Sequence, residues 1–306
     1  MPNADSSHPL RQLSPYIYGT TRLGDAKIPV ADRVKIARAA MDTGVWFHTS
    51  DQYGDALTVL ATAFNEARSQ VPKLIFKVGG NDVAEMRSII HRQIRPLGLG
   101  HMDIAQLCLG GGLIEQLRTG GPIYQELRRL REEGLVRQFV LEVFPWTSQM
   151  PLEALRAGHT KGLIDACIFY LNPLQRFAAN PLWDFIVGHN IPVIGMRTVC
   201  GAPVHVLRDV PGAAWCDYLQ KRAVEVAPIY ERSGLTNWTE FCVRFSFGFP
   251  QVCATVGSTA RPENLREFTE AVKNPRPLPV QIQADLIRLQ RRWSDETDIH
   301  ATPWTM

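Results

Sequence analysis

Short runs of apolar, β-branched and aromatic residues recur along the chain, and most are followed by a longer stretch in which apolar residues return every three or four positions. The runs predict strands and the longer stretches predict helices. Strands are expected near Tyr16, Val45, Lys73, Met102, Val136, Leu163, Pro192 and Gln251, at steps of 29, 28, 29, 34, 27, 29 and 59 residues. About 30 residues is the length of one strand and one helix closing a right-handed crossover. Leu74-Ile75-Phe76, residues 164–170 and Pro192-Val193-Ile194 are unbroken apolar runs, as parallel strands covered on both faces should be. Helices are predicted over 31–43, 56–68, 83–95, 123–133, 152–157, 181–189, 215–232 and 237–247. Gly44, Gly134, Gly158 and Gly188 fall where left-handed cap residues would end helices.

Eight strand–helix units in about 290 residues predict an α/β fold, the (β/α)8 TIM barrel, as a single domain over 1–306. The long last step reads as an insertion after strand seven, about 201–217, and the end of the chain as an extension, about 291–306. A doubly wound open sheet is the alternative. It wants a Gly-rich phosphate turn after its first strand, and Gly19-Thr20-Thr21-Arg22-Leu23-Gly24 does not match GxGxxG.

Composition narrows the function classes. The 306 residues are 45% hydrophobic and 21% charged, in the ordinary globular range. Thirty-three basic against 30 acidic residues leave a net charge of +3, too slight to argue for nucleic acid or an acidic membrane surface. The expected partner is a small-molecule substrate. No apolar run approaches the roughly 20 residues of a spanning helix, and residues 1–15 lack the apolar stretch of a secretory signal, so a cytoplasmic protein is expected. Six cysteines without CxxC spacing argue for reduced thiols, against both a disulfide scaffold and a zinc finger.

Barrel chemistry sits at the C-terminal ends of strands. The third strand ends in Phe76-Lys77, and a lysine closing an apolar strand is unusual; read alone it is a snorkelling surface residue. Paired with Tyr53, just beyond strand two, it makes an acid device. The cation is expected to lower the phenol pKa from ~10 and make the hydroxyl a better proton donor to a carbonyl.

These residues sit in a longer resemblance. Tyr18-Gly19-Thr20 with Gly24, the run from Gly44 through Trp46-Phe47-His48-Thr49-Ser50-Asp51-Gln52-Tyr53-Gly54, Leu74-Ile75-Phe76-Lys77 and Met102 to Cys108 are similar, in order, to motifs of the aldo-keto reductase superfamily. So are the run from Leu130 to Val140, Asn172-Pro173-Leu174, Val193 to Arg197, and Val256-Gly257-Ser258-Thr259 followed by Arg261-Pro262-Glu263-Asn264-Leu265. The resemblance implies the (β/α)8 barrel, NADP(H) as cofactor and reduction of a carbonyl by hydride transfer. It places cofactor contacts at Gly19, Thr20, Asn172, Arg197, Gly257, Ser258, Thr259, Arg261 and Asn264. Ser258 and Thr259 read equally well as caps of the helix starting near Pro262.

The family tetrad of Asp, Tyr, Lys and His maps onto His48, Tyr53, Lys77 and Cys108, and two of the four differ. His48 cannot supply the negative charge that holds the lysine, so Lys77 is expected to lack its counter-ion and His48 to be neutral beside it. A thiol at Cys108 is a poor donor to a substrate oxygen unless His48 reaches the same atom. The strand-five Ser-Asn pair that holds the nicotinamide amide is replaced near Glu142-Val143, and the strand-six glutamine near Ile168. His48, Cys108 and Asp51 fall short of a metal signature, and none is expected. Cys108 as a nucleophile activated by His48 competes with Cys108 as a small buried thiol. Three functions follow: an NADP(H)-linked oxidoreductase acting on a small carbonyl, alcohol or sugar-like substrate with a degenerate tetrad; a catalytically inactive nucleotide- or metabolite-binding barrel; or a lyase or isomerase with His48 as base. Trp215, Trp293 and Trp304 are candidate pocket walls.

Overall fold

The computed structural model describes residues 10, 13–144, 148–200 and 217–296. Eight parallel strands, β1 (Tyr16–Gly19), β2 (Trp46–Thr49), β3 (Leu74–Val78), β4 (Met102–Leu107), β5 (Val136–Glu142), β6 (Ala166–Asn172), β7 (Val193–Met196) and β8 (Val252–Ser258), pair each with the next. β8 pairs with β1 and closes the ring, which excludes the open sheet. A two-residue antiparallel ribbon, Gln175–Arg176, folds back on β6. The fold is a single (β/α)8 barrel, and each strand begins within three residues of its predicted start.

Period-two alternation divides each strand between the barrel interior and the helical layer. Ile17, Trp46, Ile75, Ile104, Val140, Ala166, Ile168, Ile194, Ala254 and Val256 form one interior cluster, joined by Leu10 and Leu13 from the segment before β1. The alternate residues pack outward against α1 (Val30–Asp42), α2 (Ala56–Glu66), α3 (Val83–Ile94), α4 (Gly111–Thr119), α5 (Pro122–Glu132), α6 (Gln149–Arg156), α7 (Asn180–Gly188), α8 (Asp217–Arg232), α9 (Trp238–Phe247), α10 (Pro262–Lys273) and α11 (Val280–Asp295).

Helix α4 was not expected, because Gly110-Gly111-Gly112 reads as loop and each internal glycine disfavours helix by about 1 kcal/mol against alanine. Burial of Leu113, Ile114 and Leu117 in the outer core overrides that preference. Gly44, Gly134 and Gly158 take φ of +72°, +71° and +74°, as predicted, but Gly188 does not; the left-handed residue after α7 is Asn190, at φ 52°. Asn tolerates that region better than most residues. Trp293, read as a candidate pocket wall, is packed on the barrel exterior, buried in the outer cluster of α7, α8, α9 and α11 with the Arg222 guanidinium 4.6 Å from its ring centre. The expected insertion at 201–217 lies outside the described residues except for Asp217, as do Trp215, Trp304 and the extension beyond residue 296.

The loop carrying Tyr53 is locked from below. A Cβ on Gly24 would lie 1.8 Å from the Tyr53 carbonyl oxygen, and one on Gly54, at φ +53°, would lie 2.6 Å from the Gly24 oxygen. Buried Arg33 of α1 ties the same region, donating to Leu23 O at 2.7 Å and to the Asp55 carboxylate. Gly24→Ala should therefore cost at least about 1–3 kcal/mol, the scale of overpacking. Gly112→Ala, which enters open space inside α4, should stabilise by about 0.5–1 kcal/mol. Urea unfolding midpoints of the two variants check both signs.

Candidate active site

The same alternation builds the site. Two residues on from an inward apolar residue stands another inward residue: His48 after Trp46, Lys77 after Ile75, Gln106 after Ile104, Glu142 after Val140, Tyr170 after Ile168, and Met196 after Ile194. One step along each strand thus changes a hydrophobic layer into a polar one at the C-terminal mouth. Cys108 follows the end of β4, its amide donating to Val78 O at 2.8 Å.

Lys77 is not without a counter-ion, contrary to the sequence-based expectation. Its Nζ lies 3.4 Å from Glu142 Oε1, both side chains are buried, and the Cys108 thiol donates to Glu142 Oε2. Burial alone would lower the Lys77 ammonium, but Glu142, with Cys108, Tyr53 and Tyr170, outweighs it and leaves the lysine above its ordinary value. Cys108 moves the other way from a reactive thiol: burial, and then the Glu142 carboxylate, push its pKa well up. A thiolate nucleophile is disfavoured there. Removing one member of a buried ion pair typically costs about 3–5 kcal/mol, because the other charge stays buried.

His48 faces Gln106, whose Oε1 is 2.6 Å from Nε2. An amide oxygen only accepts, so Nε2 carries the proton and gives it to Gln106. Gln106 Nε2 in turn donates to Met196 Sδ at 3.9 Å. Burial, outweighing the Gln106 bond, and then the Lys77 charge lower the His48 pKa to about 4. The imidazole is neutral, as expected, but its Nε2–H is spent on Gln106 and does not replace the missing donor at Cys108. Tyr53 is half-buried, its ring centre 6.1 Å from that of His48. Its phenol is shifted opposite to expectation: Lys77 pulls it down, but burial pushes it up further. Tyr170, which sequence reasoning passed over as a strand residue, is also raised by burial, against the pull of Arg197 and Lys77.

The mouth is braced from α3. Gln93, fully buried, donates to Lys77 O at 2.8 Å and accepts from Asp51 N at 3.1 Å. Arg92 donates twice to Asp51 Oδ2, at 3.0 and 2.7 Å, so Asp51 is a loop staple. Among the described residues no group of three His, Cys, Asp or Glu side chains is placed to hold a metal.

The candidate cofactor residues split into two groups. Thr20 and Asn172 are buried and committed: Thr20 Oγ1 donates to Thr49 Oγ1 at 2.8 Å, and Asn172 bonds Arg197 O at 3.0 Å and Leu174 N at 2.9 Å. Gly19 and Gly257 are close-approach positions, the latter 3.1 Å from Phe268 once given a Cβ. Thr259 Oγ1 accepts from Arg261 N at 3.0 Å and Ser258 Oγ accepts from Arg22 N at 3.1 Å, so neither caps α10. Arg261 is itself the N-cap, exposed and in no ion pair among the described residues, ahead of a first turn that contains Asn264 and has no side-chain cap. Free helix N-terminal amides beside a guanidinium suit a phosphate. Arg197, at φ 49°, lays its guanidinium 4.6 Å from the Tyr170 ring centre. At the other end Val143 and Ile168 are fully buried and apolar, and offer a carboxamide no side-chain partner.

The His48 environment sets a pH dependence. Above pH 6.5 the imidazole is neutral in both folded and unfolded chain; below it the unfolded chain takes a proton that the fold refuses until about pH 4. Stability should therefore fall with pH across that window, by on the order of 3 kcal/mol from this group. His48→Gln removes that part of the slope, and unfolding free energies measured at pH 6.5 and 4 for both proteins check it.

No protein-family profile and no curated protein matches this sequence. Solved structures do match in shape. An aldo/keto reductase of Klebsiella pneumoniae in complex with NADP and acetate is 19% identical, with 91% of this chain and 92% of that one covered and a TM-score of 0.67. An aldo-keto reductase of Bacillus halodurans in its holo form is 17% identical, with 95% and 96% covered and a TM-score of 0.68. A thermostable aldo-keto reductase in complex with the inhibitor epalrestat is 16% identical, with 90% and 95% covered and a TM-score of 0.67. Closed ring, parallel order and coverage of nine-tenths of each chain together give this protein the fold of the aldo-keto reductases.

Proposed function

We propose that this chain is an NADP(H)-dependent oxidoreductase of the aldo-keto reductase type, acting on a small carbonyl, alcohol or sugar-like substrate. One observation carries the reading: Lys77, paired with Glu142 at 3.4 Å, and Tyr53, its ring centre 6.1 Å from that of His48, stand at the mouth of a barrel whose fold neighbours include NADP(H) complexes.

NADP(H), when bound, supplies or accepts the hydride. The remaining work falls to the chain's own side chains. Tyr53, kept protonated by burial, gives its proton to the substrate oxygen in the reductive direction, and the Lys77 charge stabilises the phenolate left behind. His48 acts at one remove, fixing Gln106 and filling the layer beneath Tyr53 as a neutral group. Ser258, Arg261, Asn264 and the first turn of α10 are the phosphate-holding residues, with Arg197 beyond the end of the neighbouring strand β7. Thr20 and Asn172 serve by fixing the ends of β1 and β7.

The missing carboxamide partners at Val143 and Ile168 favour a second reading, a barrel that binds the nucleotide without turnover. Titrating NADPH against tryptophan fluorescence, followed by an aldehyde screen, separates the two. Binding with turnover is the expected result; binding without turnover selects the second reading, and no binding removes both. Tyr53→Phe should cut turnover by about 10²–10⁴-fold and leave the NADPH titration unchanged. Arg261→Ala should weaken NADPH by about tenfold or more, because charge-assisted bonds to a phosphate are worth about 1.5–3 kcal/mol, and leave NADH nearly unchanged. Equal losses for both cofactors would make Arg261 a structural residue.

A further inference from the structure

Two barrel strands end in opposite charges at the same depth. β3 closes Leu74-Ile75-Phe76-Lys77-Val78, and β5 closes Phe139-Val140-Leu141-Glu142, each an apolar run that delivers one charged side chain inward. Across the mouth the two meet at 3.4 Å, both withdrawn from solvent. A carboxylate in that setting is costly unless it is matched, and the match here is specific: one oxygen faces the ammonium and the other accepts the Cys108 thiol. The β2 position, where the resemblance implies an aspartate, holds His48, a neutral group whose proton goes to Gln106 and which brings no negative charge to Lys77.

We infer that Glu142 has taken over from β2 the work of holding Lys77 charged beside Tyr53, so that the carboxylate of this polar centre stands on β5. Glu142 is thereby a positioning residue, acting on the reacting phenol through Lys77. The role rests on the oxidoreductase reading above, while the charge relation does not.

The groups that face Glu142 from the packed strands and loops are Lys77 of β3, Cys108 beyond β4, Tyr53 of the β2–α2 loop and Tyr170 of β6; His48 acts on Lys77, and Arg197 on Tyr170. Lys77 is the sole cation among the four, so loss of the Glu142 charge removes the carboxylate that offsets its burial. Burial then lowers its pKa against a weaker opposition.

Side-chain ¹³Cε NMR of lysine-labelled protein reads this directly, with Lys77 assigned by Lys77→Met. In the native chain Lys77 should stay protonated to the alkaline limit of folding. In Glu142→Gln its titration should move down by about 2 pH units or more. In the double variant His48→Asp/Glu142→Gln, with the carboxylate returned to β2, it should move back up. If Glu142→Gln does not fold, the relation is read in Glu142→Asp, whose shorter arm draws the carboxylate back from Lys77 and should lower the same titration by a smaller amount. A Lys77 that titrates alike with Glu142 and Gln, or, where the Gln variant does not fold, alike with Glu142 and Asp, overturns the inference. For the reaction, Glu142→Gln should lower kcat at least tenfold with KM for the aldehyde little changed, and Glu142→Asp should restore part of the loss. The expected NMR shifts in a protein that reduces no carbonyl would leave the charge relation standing and overturn the role and the oxidoreductase reading together. Normal kcat in a Glu142→Gln protein whose Lys77 has shifted would overturn the role alone.

Discussion

A closed barrel has no edge and little interior, so every inward side chain must be matched by the others at its level. In this chain the constraint is met in two layers. Ile17, Ile75, Ile104, Val140, Ile168 and Ile194 fill the lower one, where shape is the sole requirement. His48, Lys77, Gln106 and Glu142 fill the upper one, with half-buried Tyr170 beside them, and there each buried polar atom needs a partner because water is largely excluded. The ion pair of Lys77 and Glu142 is the central interaction of that layer, since removing either member leaves the other's buried charge without the group that offsets it here.

The remaining features of the mouth follow from that pair. His48 beside a fixed positive charge has to be neutral, and a neutral imidazole can hold an amide such as Gln106. Cys108 next to a fixed negative charge has to remain a thiol, and a thiol can donate to Glu142. Tyr53 feels both charges and burial as well; burial wins, so its proton is retained at neutral pH. Gln93, Arg92 and Asp51 brace the outer side, linking α3 to the end of β3 and to the loop that carries Tyr53.

Some of this was legible in the linear chain for definite reasons. Strand starts were recoverable because parallel barrel strands bury both faces and therefore appear as continuous apolar runs at a regular step. Lys77 and Tyr53 stood out because a lysine seldom ends such a run. Glu142 carried the same mark at the end of β5, but a charge read one strand at a time has no visible partner. Gln106 and Tyr170 gave no mark at all, since a glutamine or tyrosine within a strand is ordinary. Helix α4 was hidden by its three leading glycines, and Gly188 was misread because Asn190 provides the left-handed turn instead.

What the sequence by itself determined is what depends on neighbours along the chain: the alternation that assigns each residue to interior or exterior, the helix repeats, and the caps at Gly44, Gly134 and Gly158. Those signals are set by backbone geometry, and the number of strand–helix units then left few ways to cover the apolar faces. Tertiary structure decided which charges meet. Lys77 and Glu142 are 65 positions apart in sequence, and their contact exists because ring closure brings the ends of β3 and β5 to one mouth. The direction of the Tyr53 shift was decided in the same way. A nearby cation lowers a phenol and burial raises it, and only the packed structure shows that burial is the larger effect.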